Sequence, residues 1–125
     1  MIQRVKKSDG FSLIEILVSL VILSFGLLGI AGLQMSSVKG NSFSKNLTQA
    51  TYVVQERLEF LKNLPIGSAS LQAGAHDEGS ITRAGISFSR SYTVAINNNL
   101  KTINYNVNWN DGINHTISLM TIRSE

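Results

Sequence analysis

The chain has 125 residues, no cysteine and a formal net charge of +3 at pH 7. That length holds one small domain at most, and the missing cysteine excludes disulfides, thiol catalysis and thiolate metal sites. The basic excess belongs mainly to the first ten residues, where Arg4, Lys6 and Lys7 outnumber Asp9; the later positives (Lys39, Lys45, Arg57, Lys62, Arg83, Arg90, Lys101, Arg123) are scattered singly, which reads as solvated charge and not as a nucleic-acid-binding surface.

Residues 1–10, MIQRVKKSDG, are short, polar and cationic. Ahead of a long apolar run such a segment stays in the cytoplasm, which sends the C-terminal part of the chain across the membrane. Residues 11–38 form that run, and from Ile16 to Val38 no side chain is charged. Phe11–Met35 as a helix spans roughly 37 Å, more than the ~30 Å of a hydrocarbon core. A secretory h-region is shorter, and Ala31-Gly32-Leu33 is a poor cleavage site, so the segment is expected to persist as an anchor. Within it Gly26, Gly29 and Gly32 recur every third residue, a pattern that suits either close helix–helix approach or the general tolerance of glycine in membrane helices.

Residues 39–64 continue without proline. Phe43, Leu47, Ala50, Val54, Leu58 and Leu61 step by three or four, one stripe of an amphipathic helix. Gly40-Asn41 is a candidate bend. Leu64-Pro65 predicts a stop near Asn63, because the residue before proline is pushed out of the α region. Residues 65–83, rich in Gly, Ser and Ala, read as a loop. From residue 84 to 125 the period becomes two: Ile86, Phe88, Tyr92, Val94 and Ile96, then Ile103, Tyr105, Val107 and Trp109, then Ile113, Ile117 and Leu119. Turns fall at Asn97-Asn98-Asn99 and Asn110-Asp111-Gly112. The expected fold class is α+β: a long N-terminal helix packed on a small three-stranded antiparallel sheet, with the Phe43–Leu61 stripe as its cover.

Glu15 is the one carboxylate at the head of the apolar run. It is either an interfacial residue favoured by the helix N-terminus or one half of an ion pair. A cut between Gly10 and Phe11 would expose an α-amino group at Phe11, spaced i, i+4 from Glu15. That pair forms within one subunit or with a neighbour, and in the second case an out-of-register subunit buries an unpaired charge. Neither His76 nor His115 has a second His or Glu at metal spacing such as i, i+4, no nucleophile signature is present, and Trp109 with the tyrosines falls at core period. No enzyme activity, cofactor or metal site is expected.

The stretch GFSLIEILVSLVILSFGLLGIAGLQ, behind a short basic leader, resembles the N-terminal signal of type IV prepilins and related pseudopilins. The resemblance implies that a prepilin peptidase cuts after Gly10 and N-methylates Phe11, and that Glu15 serves subunit assembly. It also implies a pilin-like fold with an αβ-loop over residues 65–83. SFGLLGIAGLQ is further similar to the PilV group of minor pilins, the type IV pilus modification proteins. The expected function is then a minor pilin in pilus assembly, with a type II secretion or DNA-uptake pseudopilin as the alternative. Its partners would be major and minor pilins, the peptidase and an inner-membrane assembly platform. It would be a single-pass inner-membrane protein with a periplasmic head, and part of the pilus fibre (fimbrium) after assembly. Two features depart from many major pilins: no cysteine-bounded C-terminal loop, and no proline in the anchor.

Overall fold

The computed structural model of the chain describes residues 10–124. Of the expected leader only Gly10 falls among them; Arg4, Lys6, Lys7 and Asp9 lie outside the described residues. One helix, α1 (Leu13–Asn63), precedes a single 3₁₀ turn at Ala69–Leu71 and four strands, β1 (Gly74–Arg83), β2 (Ile86–Asn97), β3 (Leu100–Asn110) and β4 (Asn114–Ser124). The chain divides into two compact units at Gly40/Asn41, yet α1 is one uninterrupted helix through that point.

In the first unit every described residue is exposed, including Leu17, Val21, Phe25 and Leu28. The helix contains a stretch long and apolar enough to cross a membrane, none of it buried. Ser19 and Ser24 donate their hydroxyls to the carbonyls of Glu15 and Leu20, both at 2.7 Å. The hydroxyls are thus satisfied inside the helix, which lowers the cost of placing them in lipid.

In the second unit α1 buries Ala50, Val53, Val54, Leu58 and Leu61 against Phe88, Tyr92, Val94, Ile103, Tyr105, Val107 and Trp109 of the sheet. The predicted stripe holds for its last four members. Phe43 and Leu47 are instead 40% and 37% exposed, because Asn46 takes the inward position and donates to Asp111 Oδ2 at 3.0 Å. Helix α1 ends at Asn63, as Leu64-Pro65 requires. Its last carbonyls are met from β4: Arg123 Nη1 donates to the Leu64 carbonyl at 2.6 Å and reaches Leu61 at 3.5 Å. Lys101, buried on β3, donates to the Ile66 carbonyl at 2.9 Å. These cations are therefore not the scattered solvated charges that their spacing suggested.

The sheet has four strands in the order β1-β2-β3-β4, all antiparallel, and not the expected three. The extra strand, β1, occupies much of the segment read as a loop. Its sequence GAHDEGSITR carries no apolar alternation and none of its residues is fully buried, so hydrophobic period had nothing to report. Backbone pairing with β2 holds it, from Arg83↔Ile86 to Gly74↔Val94, with a bulge between Asp77 and Gly79.

Two hairpins close with two-residue turns whose residues both lie at positive φ: Asn98-Asn99 (46° and 63°) and Ala84-Gly85 (51° and 82°). Such turns match strand twist and favour Asn-Gly. Alanine at position 84 pays a steric penalty there that asparagine largely avoids. Ala84→Asn is expected to stabilise the protein by about 0.5–1 kcal/mol, seen as a raised urea midpoint with unchanged m-value.

Candidate functional site

The chemistry-bearing N-terminus is built by a helix start. Ser12 is the N-cap of α1: the Glu15 N–H donates to Ser12 Oγ at 3.2 Å, and the Ile16 N–H donates to the Ser12 carbonyl at 3.2 Å. Ser12 and Glu15 occupy the first and last positions of the S-x-x-E capping pattern, a sequence signal the reading above did not use. Phe11 precedes the cap, and it lines a shallow groove of about 300 Å³ with Glu15, Ile16, Ser19, Leu20 and Leu23. Phe11 and Ile16 hold the two positions of a hydrophobic staple.

Phe11 is thus outside the helix, and the i, i+4 helical spacing to Glu15 does not strictly apply. The groove nevertheless brings the two residues to one side. The Gly10–Phe11 bond lies in exposed, non-helical chain, two residues before α1 begins. A peptidase can take an extended segment there without unwinding a helix. Glu15, in the first turn, faces the positive end of the helix dipole.

Gly26, Gly29 and Gly32 all lie on α1, and a Cβ added at any of them meets nothing within 4 Å. Among the described residues nothing needs them small. With a carboxylate in its first turn and an exposed apolar surface, this segment offers insertion and association.

A second polar constellation, in the other unit, escaped the sequence. The bulge on β1 aims Glu78 toward α1 and β3. Arg57 of α1 grips it with two bonds, Nε to Oε2 at 3.0 Å and Nη2 to Oε1 at 2.5 Å, and the Tyr105 hydroxyl donates to Oε2. Arg90 Nη2 donates to the Glu78 carbonyl at 2.9 Å, and the Arg57 guanidinium stacks 4.6 Å from the Phe60 ring centroid. Burial by itself would raise the Glu78 pKa, but the bonds from Arg57 and Tyr105 outweigh it and hold the carboxyl below its ordinary range. Burial, then the bond to Glu78, pushes the Tyr105 phenol well above its usual value. Every member is engaged with another, so the cluster is a clamp between helix and sheet.

The histidines are placed in the same manner. His76 stacks on Tyr92 and bonds the Gln72 carbonyl. His115 Nε2 lies 2.9 Å from Asp111 Oδ1, its ring between Phe43 and Trp109. The bond from Asn46, then that from His115, keeps the Asp111 carboxyl below its usual range. The buried Trp109 indole N–H faces Asp111 without completing a hydrogen bond.

Residues 5–31 match the family model described as the prokaryotic N-terminal methylation motif. No curated protein and no solved structure matches the chain. The match covers the segment in which the helix cap, the exposed Gly10–Phe11 bond and the apolar anchor meet, so the chain carries a prepilin-type methylation motif, which indicates a type IV pilin-like prepilin processed by prepilin peptidase.

Proposed function

We propose that this chain is a minor type IV pilin of the PilV kind, a filament subunit and not an enzyme. The observation that carries the reading is the methylation motif laid on a helix whose apolar half is wholly exposed. Arg4, Lys6 and Lys7 hold the N-terminus in the cytoplasm, so the sheet-bearing unit is periplasmic. The peptidase removes residues 1–10 and methylates the amine of Phe11. The anchor then exchanges lipid for the equally apolar helices of other pilins, so no hydrophobic burial opposes extraction. Gly26, Gly29 and Gly32 let neighbouring helices approach. Glu15 sets axial register, because only the correct stagger gives its carboxylate a cationic partner.

The mass of the N-terminal peptide from native membranes tests this directly. A peptide beginning at Phe11 and carrying one methyl group is expected; one beginning at Met1 would end the proposal. Glu15→Ala is expected to leave that cleavage intact while lowering the amount of subunit in sheared pili at least tenfold. Wild-type-like incorporation of the variant would refute the register role. Recovery with a secretion apparatus in place of pili would reassign the protein as a pseudopilin.

A further inference from the structure

The charges of the sheet are turned inward. Its strands carry Asp77, Glu78, Arg83, Arg90, Lys101 and Arg123. All but Asp77 fall on the side that α1 covers, and each is bonded there. Arg57 holds Glu78, Arg83 donates to Glu56 of α1 at 3.0 Å, and Arg90 donates to the Glu78 carbonyl. Lys101 and Arg123 donate to the carbonyls of Ile66 and Leu64. Asp77 alone stands on the open face, at its β1 margin, where its carboxylate accepts from the Gly79 N–H at 2.8 Å. A protein surface ordinarily carries roughly 25–35% charged residues, so the open face of this sheet is unusually neutral.

Ser, Thr and Asn fill that face instead, in rungs that cross the strands. Ser80, Ser89, Asn108 and Thr116 stand side by side, and Ser91, Asn106 and Ser118 belong to the next rung. The Thr116 hydroxyl donates to Asn108 Oδ1 at 2.6 Å, and the Ser118 hydroxyl to Asn106 Oδ1 at 2.5 Å. These bonds fix both amide planes and occupy their oxygens. The two Nδ2 groups, ~6.7 Å apart along the strand, have no partner among the described residues. Asparagine is a poor strand residue, yet β3 places it at 104, 106, 108 and 110 in succession on this face. Such a local cost without a gain in packing marks a functional surface. At the end of the face beside the β3–β4 turn lies a groove of about 440 Å³, whose lining is Ser, Thr and Asn apart from Trp109 and His115.

We propose that this open face binds a neutral polysaccharide, seated on the Asn106 and Asn108 amides and the groove beside them. A sugar chain is dense in hydroxyls that donate and accept, and so are Ser, Thr and Asn side chains. A nucleic acid or an acidic glycan needs cations to meet its charge, and the cations of this sheet are bonded on its other side. An apolar partner finds no apolar side chain at the groove end, since Met120 and Ile122 pair with Asn104 and Thr102 at the opposite end of the face. The free amide donors favour chains that offer carbonyl acceptors, as acetamido groups do. The proposal does not depend on the N-terminal motif.

Calorimetric titration of the full-length chain in detergent tests this. Hexa-N-acetylchitohexaose and cellohexaose, both neutral, are expected to bind saturably, the acetamido-bearing chain more tightly. Asn106→Asp with Asn108→Asp keeps the oxygens that Ser118 and Thr116 bond but removes both amide donors, and should weaken binding at least tenfold. The change is isosteric and on the open face, so the fold is not at stake. Asn41→Asp with Gln55→Glu adds the same charge at exposed positions of α1 and should leave the affinity within about twofold. Absence of saturable binding by either oligomer, equal weakening by the α1 pair, or tighter binding of heparin, a sulfated chain, would each overturn the proposal. So would a concentration-dependent oligomer that the Asn106 and Asn108 changes break up without sugar, because a second copy would then cover the face.

Discussion

Replacing Glu78 with alanine is expected to destabilise the sheet-bearing unit by about 3 kcal/mol. Breaking a buried ion pair from one side costs roughly 3–5 kcal/mol, because the remaining charge is left without a partner. The lower figure applies here, since the Arg57 and Glu78 side chains keep 29% and 13% of their exposure and water screens part of the interaction. The loss is also shared: Tyr105 loses its acceptor, and the bulge of β1 loses its tie to α1. Urea unfolding followed by the fluorescence of Trp109, the sole tryptophan, reads the change. Replacing both partners by apolar residues, Arg57→Met with Glu78→Leu, should cost far less than Glu78→Ala, because no charge is then stranded. A double variant as unstable as the single one would refute the stranded-charge account.

The same cluster fixes a pH dependence. The Glu78 carboxyl titrates below its ordinary 4.5 in the folded chain. Its contribution is therefore complete above that value and is lost as pH falls through the folded pKa, since the unfolded state takes up the proton first. Tyr105 acts at the other end. Its phenol ionises later in the folded chain than the ordinary 10.0, so above pH 10 the unfolded state releases the proton more readily and stability falls. From these two groups stability is level between about pH 5 and pH 10, and drops on either side. The Glu78→Ala variant should lose the acid limb of that profile.

Phe88→Ala is the second large effect. Phe88 is 0% exposed, and its ring centroid lies 5.9 Å from that of Trp109. Removing it forfeits its burial and opens a cavity in a thin core, a loss of about 3–5 kcal/mol. Domains of this size commonly have little more than that to lose, so near-ultraviolet circular dichroism of Trp109 should collapse at room temperature while helical signal persists in α1. Ile113→Ala, at a residue 70% exposed, should change stability by under about 0.5 kcal/mol.

Where one local rule decides, the sequence was a sufficient guide. Leu64-Pro65 stopped α1 at Asn63, and the asparagines at 98 and 99 supplied the left-handed turn that alternation on either side demanded. Alternation also identified Phe88, Tyr92, Tyr105 and Trp109 as core. Strand β1 was invisible because an edge strand held by backbone bonds needs no apolar side chains. Glu78, Arg57 and Tyr105 were invisible as a group because only the bulge and the pairing of β1 bring three distant positions together. Asn46 displaced Leu47 from the interior because it met Asp111, a partner 65 residues away. At the N-terminus the motif was legible in one short window, whereas the S-x-x-E cap within it turns on a choice between helix start and helix interior that apolar composition alone does not make.

The bonds from Lys101 and Arg123 to the carbonyls of Ile66 and Leu64 have a mechanical meaning. The covalent path from α1 into the sheet runs through the 3₁₀ turn and then β1, the strand with the least buried side chains. Tension drawn along the helix would enter the sheet at that weak edge and peel β1 from β2 one hydrogen bond at a time. The two cations act as rivets just past the helix end. They pass the load sideways into β3 and β4 before it reaches β1, so that several strands are sheared together instead of one being unzipped.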